Sequence, residues 1–127
     1  MKRKDKTEGA PSMQRVLVVE YHAQVLSALA DLVVEEPGLE LSGIAGSARE
    51  AISLARHMQP DVVLIDVDEL SWQAQRLDRL IGELLPSARI VRLTAVSDPQ
   101  MECLESPTRT TSILKTAVPE FLRSISE

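Results

Sequence analysis

Five apolar runs are spaced along the chain, and between them apolar residues recur at the three- and four-residue spacing of a helix face. The first and third runs are short, continuous and rich in Val, which is typical of strands buried on both faces of a parallel sheet. The chain is organised around the third run, which has a carboxylate at each end. The predicted strands are residues 15–20, 39–45, 61–66, 89–94 and 111–115.

The segments between the strands predict helices with recognisable starts and ends. Pro37 and Gly38 end the first helix, and a capping box formed by Ser47 and Glu50 begins the second. Alternation of strands and helices implies a parallel sheet with right-handed crossovers and helices on both faces. The predicted helices are residues 22–36, 48–58, 72–85, a weaker one at 98–105, and a last one from Pro119 onward.

Each of the four stronger helices has a stripe of apolar residues that predicts its buried face. These residues are Leu26, Leu29, Ala30 and Val33 in the first, Ala48, Ala51, Ile52 and Ala55 in the second, Leu77, Leu80, Ile81 and Leu84 in the third, and Val118, Phe121, Leu122 and Ile125 in the last.

Four of the predicted strands end in a residue that carries chemistry: Glu20, Asp66, Thr94 and Lys115. Singly, each is an ordinary polar strand end. In a parallel sheet, however, these ends share one edge, where sites form. Two carboxylates, a hydroxyl and an ammonium suit a phosphoryl group carried on a carboxylate. Oxygen ligands would hold Mg²⁺, Asp66 would be the nucleophile, and Thr94 and Lys115 would receive the phosphoryl oxygens.

Composition narrows the class of protein. The chain has 127 residues, enough for one domain, with a formal net charge of -5 and 2% aromatic residues, so we expect no nucleic-acid-binding surface within it. Lone Cys103 excludes an internal disulfide.

No apolar run is long enough to span a membrane, so a cytoplasmic location is expected. Polar residues 1–13 predict a disordered leader, and residues 14–127 the folded domain.

Two segments resemble a known family. RVLVVEYHAQVLSALADLV, from residue 15, and GIAGSAREAISLARHMQPDVVLID, from residue 43, are similar to receiver domains of bacterial two-component response regulators with a helix-turn-helix output domain. The resemblance covers about residues 14–126. It implies a three-layer doubly wound (βα)5 flavodoxin-like fold with strand order 2-1-3-4-5. It also implies that Asp66 is the phosphoacceptor, Thr94 the switch hydroxyl and Lys115 the family's lysine.

The chain departs from the family pattern in several places. Tyr21 stands where the family has a second, metal-binding acid, and a neutral phenol is a poor ligand for a hard cation. The expected metal set is therefore Glu20, Asp66 and Asp68, with Mg²⁺ doubtful. Loop 67–72 lacks the usual turn residues. Ser112 replaces the aromatic residue three positions before the lysine, and residues 106–110 replace a Gly-Ala pair.

Three hypotheses follow. The first is an atypical receiver that works through dimerisation or partner binding, with impaired phosphorylation and an output domain, DNA-binding or otherwise, outside this chain. The second is a working receiver phosphorylated on Asp66 by a histidine kinase. Neither has enzymatic activity beyond self-phosphorylation and dephosphorylation. The third, a flavin- or small-ligand-binding flavodoxin-like domain or enzyme, lacks support, because no phosphate-binding loop follows the first strand.

Overall fold

The computed structural model describes residues 13–95 and 110–126, which form a five-stranded parallel sheet with helices on both faces. Residues 1–12 of the predicted leader, the weak helix at 98–105 with Cys103, and residues 106–109 of segment 106–110 lie outside the described residues. The strands are β1 (Gln14–Val19), β2 (Leu39–Ala45), β3 (Val62–Asp66), β4 (Arg89–Thr94) and β5 (Thr110–Leu114). The helices are α1 (Ala23–Glu35), α2 (Ala48–Met58), α3 (Leu70–Gln75), α4 (Leu77–Leu84) and α5 (Val118–Ser126).

The sheet has the order β2-β1-β3-β4-β5, with every neighbouring pair parallel. This is the doubly wound topology that the sequence predicts. Because strand residues alternate between faces, β1 contributes Leu17 and Val19 to one core and Val16 and Val18 to the other. The first core packs against α2, α3 and α4, and the second against α1 and α5. The result is the three-layer architecture expected for alternating strands and helices.

The capping box of α2 is present, with a different second partner. The Ser47 hydroxyl accepts a hydrogen bond from the Glu50 backbone N–H at 3.2 Å. In a capping box the Glu50 carboxylate would accept from the backbone N–H of Ser47. Here it accepts from the Gly46 N–H, one residue earlier, at 3.0 Å. Helix α2 therefore begins where the sequence predicts, with its first turn satisfied by a side chain.

The third predicted helix, residues 72–85, is wrong as a single element. It is divided into α3 and α4 at Arg76, whose backbone is left-handed with φ 55° and ψ 49°. On one continuous helix, at about 100° per residue, Trp72 and Leu77 would lie about 140° apart. The structure nevertheless buries both in the same core cluster. The left-handed residue turns α3 relative to α4, and Leu80, predicted to be buried, is 40% exposed.

Arg76→Gly is expected to raise the free energy of unfolding by about 1 kcal/mol, because glycine lacks the Cβ that disfavours the left-handed region. Urea unfolding measures the change. The matched control is Arg79→Gly within α4, which should lower stability by about 1 kcal/mol. Equal losses in the two variants would contradict a left-handed conformation at Arg76.

Candidate functional site

The strand ends meet at one edge of the sheet because the register places them side by side. Val19 of β1 pairs with Ile65 of β3, so Glu20 follows at the level of Asp66. Thr94 pairs with Leu114, so Lys115 follows β5 directly. Glu20, Asp66 and Thr94 are buried at 0%, 1% and 7% exposure, and they are the buried polar residues among those described. The predicted convergence of the four side chains is therefore present.

Lys115 lies at the centre of this group. Its ammonium is 3.3 Å from Asp66 Oδ1, 3.5 Å from Glu20 Oε1 and 3.6 Å from Asp68 Oδ2. Burial lowers the pKa of Lys115, but the charges of Asp66 and Glu20, a hydrogen bond to Asp66 and the charge of Asp68 together outweigh burial and raise it. The ammonium therefore stays protonated and balances one of three neighbouring carboxylates.

Glu20 is hydrogen-bonded through one of its carboxylate oxygens. Its Oε2 accepts a hydrogen bond from the His22 backbone N–H at 3.1 Å, and His22 Nδ1 lies 3.2 Å from the same oxygen. Its Oε1 faces the Lys115 ammonium, but it is buried and has no hydrogen-bond partner among the described residues. His22 is the N-cap residue of α1, so the helix start brings an imidazole to the rim of the acidic pocket. No contact between His22 and Glu20 was predicted, although the position of His22 two residues after a strand-end acid is a signal for one.

Asp66 is held in place through one of its oxygens. Oδ1 accepts a hydrogen bond from the Asp68 backbone N–H at 2.8 Å and faces Lys115. Oδ2 is buried and has no hydrogen-bond partner among the described residues. A buried carboxylate oxygen without a donor is costly, and such oxygens are common where a ligand or reacting group binds. Asp66 thus keeps one oxygen directed into the site.

Asp68 engages β4 and the residue that follows it. Its Oδ1 accepts a hydrogen bond from the Thr94 hydroxyl at 2.9 Å, and its Oδ2 accepts from the Ala95 backbone N–H at 2.7 Å. The Asp68 side chain is 37% exposed. The sequence placed Asp68 among the metal ligands, but its carboxylate is used on Thr94 and Ala95.

Three residues offer potential metal-ligand atoms within 4.8 Å of one another: Glu20, His22 and Asp66. This group includes His22 and does not include Asp68, which the sequence predicts as a ligand. Tyr21 is 54% exposed, and its ring makes edge contacts with His22 at 5.3 Å and Trp72 at 6.2 Å between centroids. Since Mg²⁺ prefers carboxylate, carbonyl and water oxygens, two carboxylates and an imidazole fit it less well than an all-oxygen set.

The fold agrees with the proteins that this chain is similar to. Response regulator GacA of Pseudomonas viridiflava is 31% identical over 86 residues, which are 68% of this chain and 40% of GacA. Transcriptional regulatory protein LiaR of Bacillus subtilis is 30% identical over 86 residues, 68% of this chain and 41% of LiaR. A CheY-like response regulator receiver domain from Methanospirillum hungatei has a TM-score of 0.74 at 18% identity, covering 90% of this chain and 91% of that chain. This chain is a response-regulator receiver domain.

The relatives confirm the receiver-domain family that the two sequence segments predicted. The match spans about 40% of the length of GacA and of LiaR. No family model matches the chain. Within residues 13–95 and 110–126, no helix is both long and apolar enough to cross a membrane.

Proposed function

We propose that this receiver domain is atypical: it acts through protein–protein contacts, and its Mg²⁺-dependent phosphorylation at Asp66 is impaired. Its partners are a histidine kinase or another signalling protein and a second copy of the same chain. It works in the cytoplasm and serves an output domain, DNA-binding or otherwise, that is not part of this chain. The proposal rests on the residues that surround Asp66.

The observation that carries the proposal is the position of Tyr21. Where the family resemblance implies a second metal-binding acid, the chain has a phenol that is 54% exposed and packs on His22 and Trp72. A hard cation therefore loses one negative ligand, and the residue that replaces it is neutral and more than half exposed.

The remaining ligand atoms are also partly used. Glu20 accepts from His22 and pairs with Lys115, and Asp68 accepts from Thr94 and Ala95. A Mg²⁺ ion would have to compete with these contacts for its ligands. When bound, Mg²⁺ would neutralise charge on a transferring phosphoryl group, and Glu20 and Asp66 are the residues that would hold it.

The alternative is a working receiver that a histidine kinase phosphorylates on Asp66. One observation favours it: Asp66 Oδ2 is buried and has no hydrogen-bond partner among the described residues, while Lys115 lies 3.3 Å from Oδ1. A carboxylate with one oxygen held and one oxygen open is suited to nucleophilic attack on a phosphodonor. The two proposed functions therefore differ in whether Mg²⁺ binds well enough to support phosphorylation. Asp66 is the nucleophile in both.

The test is to add millimolar Mg²⁺ with beryllofluoride or a small phosphodonor and to look for an adduct on Asp66 by intact-protein mass spectrometry and NMR. The proposal predicts substoichiometric adduct and an unchanged oligomeric state by light scattering. A stoichiometric adduct on Asp66 would overturn it and establish the alternative. Asp66→Asn is the control for labelling at other carboxylates.

Tyr21→Asp is expected to tighten Mg²⁺ binding about tenfold or more, because it adds a negative ligand beside Glu20 and Asp66. Isothermal titration calorimetry measures the dissociation constant. Tyr21→Asn is the matched control: it also removes the ring but adds no charge, so it should give little gain. If Tyr21→Asp bound Mg²⁺ no better than Tyr21→Asn, the missing charge would not be the cause of weak metal binding.

A further inference from the structure

Two hydrogen-bond donors at the end of β4 and an ammonium at the end of β5 converge on one carboxylate. The Thr94 hydroxyl donates to Asp68 Oδ1 at 2.9 Å, the Ala95 backbone N–H donates to Asp68 Oδ2 at 2.7 Å, and Lys115 Nζ forms an ion pair with Oδ2 at 3.6 Å. Both oxygens of Asp68 accept a hydrogen bond, and a cation from a second strand end lies beside them. Asp68 is therefore not simply a solvated carboxylate on the protein surface.

A hydroxyl, a backbone N–H and an ammonium that point at one place form a receptor for an oxyanion. The receptor lies next to Asp66, because Lys115 contacts Asp66 Oδ1 and Asp68 Oδ2 together and the Asp68 N–H donates to Asp66. An oxyanion attached to Asp66 would be received by these same donors. In this chain the carboxylate of Asp68 already engages them.

We propose that Asp68 is an internal substitute for a phosphoryl group: its carboxylate engages Thr94, Ala95 and Lys115 as a phosphoryl group on Asp66 would, so these donors are drawn inward without phosphorylation. The proposal rests on the proposed function only in taking Asp66 as the residue that a phosphoryl group would modify. This substitution explains how a receiver with impaired phosphorylation keeps Thr94 and Ala95, at the end of β4, hydrogen-bonded to an anion.

Two physical effects favour the internal anion over an external one. Asp68 is two residues from Asp66, so its carboxylate is present at high effective concentration and loses little freedom on binding. A phosphoryl group on Asp66 would also meet the negative charge of Asp68 at close range. An external oxyanion must therefore both displace the carboxylate and tolerate it nearby.

The Ala95 amide tests the proposal without metal or phosphodonor. In ¹⁵N-labelled protein we expect a downfield Ala95 amide with slow hydrogen exchange, because it donates to a carboxylate. Asp68→Ala should shift the resonance upfield and raise its exchange rate about tenfold or more. Asp68→Asn, which keeps the size and removes the charge, should give a smaller change of the same sign. Glu69→Gln is the matched control, since the Glu69 carboxylate accepts from Ser71 and not from Thr94 or Ala95.

The second arm uses beryllofluoride as the external oxyanion analogue, in a Tyr21→Asp background that supplies the metal ligand. Adding Asp68→Ala should tighten beryllofluoride binding about tenfold or more and should restore the downfield Ala95 amide on binding. Fluorescence of Trp72, the only tryptophan, reports binding. If Asp68→Asn and Asp68→Ala leave the Ala95 amide unchanged, or if beryllofluoride binds equally well with and without Asp68, the inference is wrong. Adduct formation in the unaltered protein separately decides the proposed function.

Discussion

Lys115→Met is expected to lower the free energy of unfolding by about 2 to 3 kcal/mol, because it leaves buried carboxylates without their cation. Lys115 lies within 3.6 Å of oxygens from Glu20, Asp66 and Asp68, and the first two are fully or almost fully buried. Methionine keeps most of the aliphatic length, so the loss reports the charge more than the packing. Urea unfolding at neutral pH and low salt measures it.

A double-mutant cycle with Asp66→Asn separates the charge effect from other causes. Asp66→Asn alone should raise stability by about 1 kcal/mol, because it removes one of three crowded negative charges and keeps the side-chain shape. In the Asp66→Asn background, Lys115→Met should cost less than in the unaltered protein. Additive effects would mean that Lys115 and Asp66 do not interact in the folded state. Lys115→Arg, which keeps the charge, should cost least.

Leu64→Ala is expected to lower the free energy of unfolding by about 3 kcal/mol, from the lost transfer energy and the cavity left behind. Leu64 is fully buried on β3, the central strand, in the core that includes Leu29 and Val33 of α1 and Leu122 of α5. Helices from two parts of the chain would have to move together to fill the space. Thermal and urea unfolding both measure the loss.

Leu114→Ala is the matched control, because Leu114 is a leucine on a strand of the same sheet but is 36% exposed. It should cost less than about 1 kcal/mol. Equal losses for the two leucines would contradict the assignment of Leu64 to a packed core. Leu64 and Asp66 lie on the same strand, so the variant also shows whether the site depends on core packing: Mg²⁺ affinity per folded molecule should be unchanged.

The strands were predictable because periodicity and punctuation agree along the chain. Residues 39–45 and 89–94 were predicted with the same bounds as β2 and β4, and the other three strands to within one residue. Prolines, glycines and the capping box mark most ends. Helix 72–85 failed because the break at Arg76 uses no glycine or proline. Its cause is the burial of Trp72 together with Leu77, which is a tertiary requirement and leaves no local signal.

The candidate site was only partly predictable for a similar reason. Strand order and parallel register bring Glu20, Asp66, Thr94 and Lys115 to one edge, and strand order follows from the family resemblance. Which donor meets which acceptor depends on side-chain directions in the loops. His22 at Glu20 and the Ala95 backbone N–H at Asp68 were therefore missed.

The alternating α/β fold and the residue types at the strand ends, including the phenol at position 21, follow from local periodicity and from the common edge of a parallel sheet. The family and the strand order follow from the resemblance of two segments to receiver domains. The exposure of Tyr21 and the contacts of Asp68 with Thr94, Ala95 and Lys115 depend on the packing of the loops. A carboxylate can accept from any donor within hydrogen-bond distance, and the packed loops determine which donors lie within that distance.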